Sequence, residues 1–445
     1  MAVRFRASEL AAMTGGVLVG EDRVLDGLSF DSRELTAGQL FVALEGQRDG
    51  HTFIGAALAA GAAGVLVSDD HPVPVPAVVV PDTLTALGGL ARQLRADVLA
   101  EAEVVGITGS VGKTSTKDLV VGALGSRRRV VASPRSFNNE QGLPWTVVNA
   151  PSDCEVLVLE MGMRGAGQIG ELCRIAGPTI GVVTAVGHAH TELLGGLEGV
   201  ALAKGELIEA LPAHGTAILN GDDDRVRSMG ARTDARTLVY GSGGEVRLRR
   251  IDLDERSRAS ILVDSPWGAV RTTLTLPGRH MADNALAAIA VAGVVHGDIE
   301  GVADGLRAVE GSDHRMRILV TDTGLTVVDD CYNANPTSMA AAVTALIGMR
   351  ARRRIAILGP MAEVAGAVGH HRDVARLLAD AGVALIAVGT DLYGVEPSED
   401  AVGALRARID DVDEADVVVL VKGSRVARLE SIVAAIAPHG SAPGR

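Results

Sequence analysis

Between residues 104 and 124 the sequence reads VVGITGSVGKTSTKDLVVGAL, a segment that few folds accommodate. The apolar run at its start suits a strand buried on both faces. It enters a glycine-rich turn, and a helix opens at Lys113-Thr114. Backbone N–H groups of such a turn, together with the helix N-terminus, cradle phosphate oxygens. Lys113 would bridge β- and γ-phosphates, and the Thr114 hydroxyl would meet magnesium. The strict G-x-x-x-x-G-K-[ST] pattern fails because Ile107 occupies its first glycine position. The shorter T-G-x-x-G-K-T form runs through Thr108, Gly109 and Gly112, with Ser110 and Ser115 counted in the same nucleotide-facing turn. The alternative is a strand-to-helix turn that holds no ligand.

The pattern around this segment is α/β. From Glu103, strand-like runs at 104–108, 156–161, 180–186 and 216–220 alternate with helical stretches, which argues a mostly parallel sheet covered on both faces. Residues 1–98 read as a small α/β unit, with strands at 41–44, 64–67 and 77–80 and a buried helix over 53–63. Short antiparallel strands are expected over 245–276 and a helix over 282–295. After the polar stretch 310–315 a third unit carries strands at 326–330, 354–359, 385–389 and 417–423. The 445 residues fit about three domains at about 150 each, with expected divisions 1–98, 99–312 and 313–445.

Composition excludes other classes. Forty-two basic against fifty-five acidic side chains give a net charge of -13, the wrong balance for a nucleic-acid binder. At 47% hydrophobic and 22% charged residues the chain is not disordered. MAVRFRASEL has no apolar signal-peptide core, and the longest apolar run, 53–67, is too short to span a bilayer. Cys154, Cys173 and Cys331 match neither a zinc motif nor a disulfide framework. Cys331 reads as a small buried filler with no basic group placed to activate it. A cytoplasmic protein is expected, without membrane span or nucleic-acid partner.

Only four of the basic residues are lysine: Lys113, Lys117, Lys204 and Lys422. Asparagine is also scarce, as GC-rich codon usage would produce. Where lysine persists, a guanidinium does not serve, because an ammonium is compact and can lose its proton when buried. Glu160 closes a strand-like run and is either a magnesium ligand or a solvated strand end. His188 and His190 follow another strand as ligands or loop residues. Lys204 lies on a helix, as a salt-bridge partner or as part of an anion site.

TGSVGKT (108–114), FNNEQGLP (137–144), LEMG (159–162), AHTE (189–192), AKGEL (203–207) and LNGDD (219–223) resemble, in this order, motifs of the Mur ligases of peptidoglycan synthesis. PGRHMADNALAA (277–288) and VKGSR (421–425) extend the resemblance over essentially the whole chain. DDCYNANPTSM (329–339) resembles the branch that adds D-alanyl-D-alanine, and 29–54 resembles the UDP-binding domain of that branch. The resemblance implies three α/β domains: an N-terminal UDP-substrate domain, a central P-loop ATPase domain and a C-terminal Rossmann-like domain. It implies ATP-dependent joining of D-Ala-D-Ala to UDP-MurNAc-tripeptide through an acyl phosphate, by a monomer using two Mg2+ ions. Lys113, Glu160, His190 and Lys204 would be catalytic; Thr114, Glu160 and His190 would hold metal; and Lys204 would take up CO2 as a carbamate supporting the second magnesium. His280 and Asn284 would contact nucleotide, and Arg315 and Asp330 would reach the phosphates and ribose. Asn333, Asn335 and Pro336 would shape the adenine and acceptor side. Ser29, Asp31, Ser32, Arg33, Asp49 and His51 would face the UDP-sugar, with Asn138, Lys422 and Ser424 also on substrates.

Where the family reads L-G-D-M-x-E-L-G, this chain has LGPMAEVAG (358–366), so Pro360 and Ala365 alter the expected dipeptide side. Two other readings share the central motifs. One is a related Mur or folylpolyglutamate-type amide ligase with another acceptor; the other is a P-loop regulatory ATPase.

Overall fold

The computed structural model describes residues 3–68, 76–188 and 191–438. It contains three successive mainly parallel sheets, each wrapped by helices. The first has β1 (Val17–Val19), β2 (Leu28–Ser29), β3 (Leu40–Val42), β4 (Gly64–Val67) and β5 (Ala77–Val79), in the order β1-β5-β4-β3-β2. Only the β1–β5 pair is antiparallel. Helix α1 (Thr83–Asp97) leads out of it, capped by Asp82, whose side chain accepts from Thr85 N. The segment expected as a buried helix over 53–63 is shorter and more exposed. A 3-10 turn at Gly50–Phe53 precedes Ile54–Ala59, and only Ala57 of that helix is buried. Its alanines and glycines carry too little apolar surface to form a core face.

The central sheet has β6 (Glu103–Thr108), β7 (Val130–Ala132), β8 (Val156–Glu160), β9 (Ile180–Val183), β10 (Thr216–Asn220) and β11 (Arg236–Tyr240), in the order β11-β10-β9-β6-β8-β7. All pairs are parallel. Strands β6 and β8 lie next to each other, so their carboxyl ends open on one crevice, where open α/β sheets bind ligands. Helix α2 (Lys113–Gly125) follows β6, and α3 (Leu197–Glu209) precedes β10. Strand β9 ends at Val183, short of the expected 186, because the Thr184 hydroxyl turns to the carbonyls of Thr108 (3.3 Å) and Val111 (2.5 Å). An antiparallel three-stranded sheet, β12 (Arg247–Leu253), β13 (Arg258–Ser265) and β14 (Gly268–Pro277), leads into α4 (His280–His296). That helix is buried almost all round, as expected of a segment packed between sheets.

The third sheet has β15 (Arg317–Val320), β16 (Thr326–Asp330), β17 (Arg353–Leu358), β18 (Ala384–Ala387) and β19 (Val417–Lys422), ordered β15-β16-β19-β17-β18 with only β15 antiparallel. Helix α5 (Pro336–Gly348) follows β16. Its Asn335 cap accepts from Ser338 N, and Pro336 stands at the first helical position. No helix among the described residues is long and apolar enough to cross a membrane.

Candidate active site

The turn after β6 depends on its glycines. A Cβ at Gly109 would collide with Thr184 Oγ1, and one at Gly112 (φ 82°) would lie 2.7 Å from Asn284 Oδ1. Gly112 caps α2 with left-handed backbone, which glycine adopts without penalty. Lys113 Nζ donates to Gly109 O at 2.7 Å. Burial lowers the Lys113 pKa, Glu160 opposes that, and Arg315 lowers it further. Thr108 Oγ1 donates to Met161 O (2.8 Å), which ties the turn to the end of β8.

Glu160 is 1% exposed, which disposes of the solvated strand end. Thr114 Oγ1 donates to its Oε2 and Asn138 Nδ2 to its Oε1, both at 2.8 Å. No lysine or arginine among the described residues forms an ion pair with it. A buried carboxylate beside a hydroxyl and an amide is an oxygen donor set suited to Mg2+, so Thr114 and Glu160 fit that ion. Lys204, on α3, is 3% exposed and has no carboxylate partner among the described residues. Burial, and secondarily Lys113, holds its pKa well below the ordinary lysine value. The ring of His188 packs 5.1 Å from that of His370. His190 lies outside the described residues.

The third domain reaches the same crevice. Asn335 Nδ2 donates to Ser110 O at 3.3 Å, and Ser110 Oγ donates to Gly187 O at 3.1 Å. Lys422 Nζ donates to Asp330 Oδ2 (2.6 Å) and Asn333 O (2.9 Å). Met316 N donates to the other Asp330 oxygen at 3.2 Å. His280, at the start of α4, is drawn down to about 4 chiefly by burial, with Asp330 opposing and Lys422 reinforcing. The Arg315 guanidinium sits 4.1 Å from the Tyr332 ring centre, and the Tyr332 hydroxyl bonds Ser136 Oγ of the central domain. Ser424 Oγ donates to Ala334 O (3.2 Å) and accepts from Ala362 N (2.8 Å). The Pro360 carbonyl accepts from Ser424 N at 2.9 Å, so the departing LGPM segment folds under that turn.

A second cluster lies beyond the carboxyl ends of β2, β3 and β4. Ser29 Oγ accepts from Asp31 N (3.0 Å), and Arg33 binds Asp31 with both Nε (2.9 Å) and Nη2 (2.6 Å). That hydrogen bonding holds the Asp31 carboxyl below its usual range. His51 Nδ1 is 2.7 Å from Asp49 Oδ1, and His51 Nε2 accepts from Ser68 N at 3.1 Å. Ser32 is half-buried beside this cluster's first turn.

Three family models cover the chain in succession: the Mur ligase family catalytic domain over 24–95, the Mur ligase middle domain over 107–292 and the Mur ligase glutamate ligase domain over 314–439. The UDP-N-acetylmuramoyl-tripeptide--D-alanyl-D-alanine ligase of Mycobacterium tuberculosis H37Rv is 39% identical over 428 residues, covering 87% of this chain and 84% of that protein. The Escherichia coli K12 protein of the same name is 32% identical, with 98% of both chains covered. The chain belongs to the Mur ligase family. Among solved structures, this Mur ligase resembles MurF from Acinetobacter baumannii with a TM-score of 0.88, at 27% identity over 98% of this chain and 99% of that one. It resembles MurF from Thermotoga maritima in complex with ADP with a TM-score of 0.78, at 27% identity over 92% and 96%. The folylpolyglutamate synthase of Mycobacterium tuberculosis (TM-score 0.62, 18% identity, 79% and 94% covered) shares the fold alone.

Sequence reasoning missed several supports in this Mur ligase. Ser133 Oγ accepts from Glu160 N (3.1 Å), and buried Lys117 donates to Ser133 O (3.0 Å). Nothing in ASPRS marks that serine, although the persistence of Lys117 was a pointer. Cys331 requires a correction: its Sγ lies 3.5 Å from His314 Nδ1, a basic neighbour 17 residues away in the chain. Burial and Asp329 still push its thiol pKa up, so it is not an activated nucleophile.

Proposed function

We propose that this Mur ligase joins D-alanyl-D-alanine to UDP-N-acetylmuramoyl-tripeptide, with cleavage of ATP to ADP and phosphate. The observation that carries the reading is the likeness, over 98% of both chains, to a curated relative of that name, together with DDCYNANPTSM where the dipeptide-adding branch has its signature. The peptide carboxylate attacks the γ-phosphate to give an acyl phosphate. The dipeptide amine attacks that carbonyl, and phosphate leaves from the tetrahedral intermediate.

The chain's own groups position reactants and balance charge. Lys113 and the N-terminus of α2 receive the phosphates, and Arg315 adds positive charge from the third domain. Asp330, held by Lys422, is placed for the ribose, while His280, Asn284 and Asn333 face the nucleotide and Asn335 ties its domain to Ser110. Thr114, Glu160 and His190 would hold magnesium, which when bound neutralises phosphate charge. Lys204 fits the carbamate role because it is buried, has no ion-pair partner among the described residues, and has its pKa lowered by that burial, which favours the neutral amine that can combine with CO2. Ser29, Asp31, Ser32, Arg33, Asp49 and His51 face the UDP-sugar, and Asn138, Lys422 and Ser424 support the substrate side. The divisions 1–98, 99–312 and 313–445, a monomeric state and a cytoplasmic location belong to the same reading.

The test is phosphate release with each UDP-muramoyl peptide, with and without D-Ala-D-Ala. Release that needs both the tripeptide and the dipeptide supports the assignment. Release with a different amino acid acceptor would transfer it to another Mur branch, and acceptor-independent hydrolysis would make the chain a regulatory ATPase.

A further inference from the structure

At the junction between the central and third domains, three ligand-type side chains converge on the face of β16 turned away from the nucleotide groups. His314 Nδ1 lies 2.8 Å from Asp329 Oδ2 and 3.5 Å from Cys331 Sγ. One ligand atom from each residue falls within 4.8 Å of the others. Strand alternation separates this face from the catalytic one: Val327 and Cys331 belong to one core cluster, and Val328 to another. Asp329 thus projects opposite to Asp330.

The spacing matches a particular ion. Bond lengths of about 2.05 Å to nitrogen and 2.3 Å to sulfur, at tetrahedral angles, put the two ligands about 3.5 Å apart. Asp329 need retreat only by about half an ångström to reach its tetrahedral place. Glu430 faces the same thiol closely enough to oppose its ionisation. Its Oε1 pairs with Arg425 Nη1 at 3.4 Å, and its carboxylate lies outside the three-residue group, which leaves the fourth position to water.

We propose that His314, Asp329 and Cys331 form a binding site for a thiophilic divalent cation, zinc, with water in the fourth position. Binding exchanges the thiol proton for a sulfur–metal bond, and that proton goes to solvent. The His314 N–H shifts to the other ring nitrogen. A soft sulfur ligand distinguishes this site from the oxygen donors Thr114 and Glu160, so magnesium does not compete for it.

The test uses the full-length untagged protein with millimolar Mg2+ present. Titration with Co2+ alone should give, at one equivalent, a thiolate-to-cobalt charge-transfer band in the near ultraviolet and tetrahedral bands in the visible, both abolished by one equivalent of Zn2+. Cys331→Ala and His314→Asn should lose the bands, and each should weaken zinc affinity at least about 100-fold against a chromogenic chelator, since even outer-shell changes cost 10–100-fold. Both variants should retain the ligase turnover, which shows that they fold. A native protein without the thiolate band would overturn the site, as would a band that survives Cys331→Ala.

Discussion

Burying an ammonium without a counterion is costly, and at Lys204 that burial, with the nearby Lys113 charge, lowers the pKa. The cost falls away when the amine is neutral, and a neutral amine is what the carbamate reading requires. Lys204→Met keeps the volume and should match or exceed the native melting temperature while phosphate release falls about 100-fold or more. Lys204→Arg should be as inactive, and also destabilised, because guanidinium stays charged and cannot form the carbamate. Acetate or formate at high concentration should restore part of the turnover of Lys204→Ala. An active Arg variant would end the carbamate reading. Scarcity made this lysine legible in the sequence. His314 was not legible, because its partners are distant in the chain and only the pairing of β15 with β16 brings them together.

In the first turn of α4 two half-buried groups titrate in opposite senses. His280 is lowered to about 4 and Asp283 raised to about 6, each chiefly by burial. Between pH 4 and 6 the unfolded chain holds a proton on His280 that the folded chain lacks, so this group makes stability fall on acidification. Asp283 binds its proton only in the folded chain over the same window, so its contribution rises on acidification. The two nearly cancel. Relative to native protein, His280→Gln should gain stability from pH 6 to pH 4 and Asp283→Asn should lose it, each by up to about 3 kcal/mol. Urea unfolding at the two pH values reads this directly, and equal slopes in all three proteins would refute it. The helix itself was legible from its apolar run, and the strand ends at Thr108 and Glu160 from the motifs that close them. The exposure of 54–59 was not, because small apolar residues suit a core and a surface equally.

Two hydrophobic clusters cross between domains, while one in each terminal domain stays within it. One cluster joins Leu10, Leu87 and Leu90 to Leu143, Val147 and Leu172, and another joins α2 and α4 to Met339 and Leu346 of α5. Periodicity gives the face that each element buries but not its partner across a domain boundary, so this sharing was invisible in the sequence. A chain starting at residue 99 loses α1 and uncovers the helices at 142–148 and 168–176. It should melt well below a chain starting at residue 82, which keeps α1, and it should bind hydrophobic dye. Both truncated chains should lose use of the UDP-peptide, because the Arg33 and His51 cluster is gone. Equal melting temperatures would show that α1 is dispensable to the central core.

The burial of the lysines has an outcome for chemical labelling. Lys117, Lys204 and Lys422 are 4%, 3% and 1% exposed, Lys113 is only partly exposed, and the remaining positive charge is guanidinium. An amine-directed acylating reagent therefore meets a surface with almost nothing to react with. Apart from the α-amine, the native chain should take up a single adduct, at Lys113, whose lowered pKa favours the nucleophilic form. ATP with magnesium should suppress that adduct, and intact-mass spectrometry would follow occupancy of the phosphate site with no engineered probe.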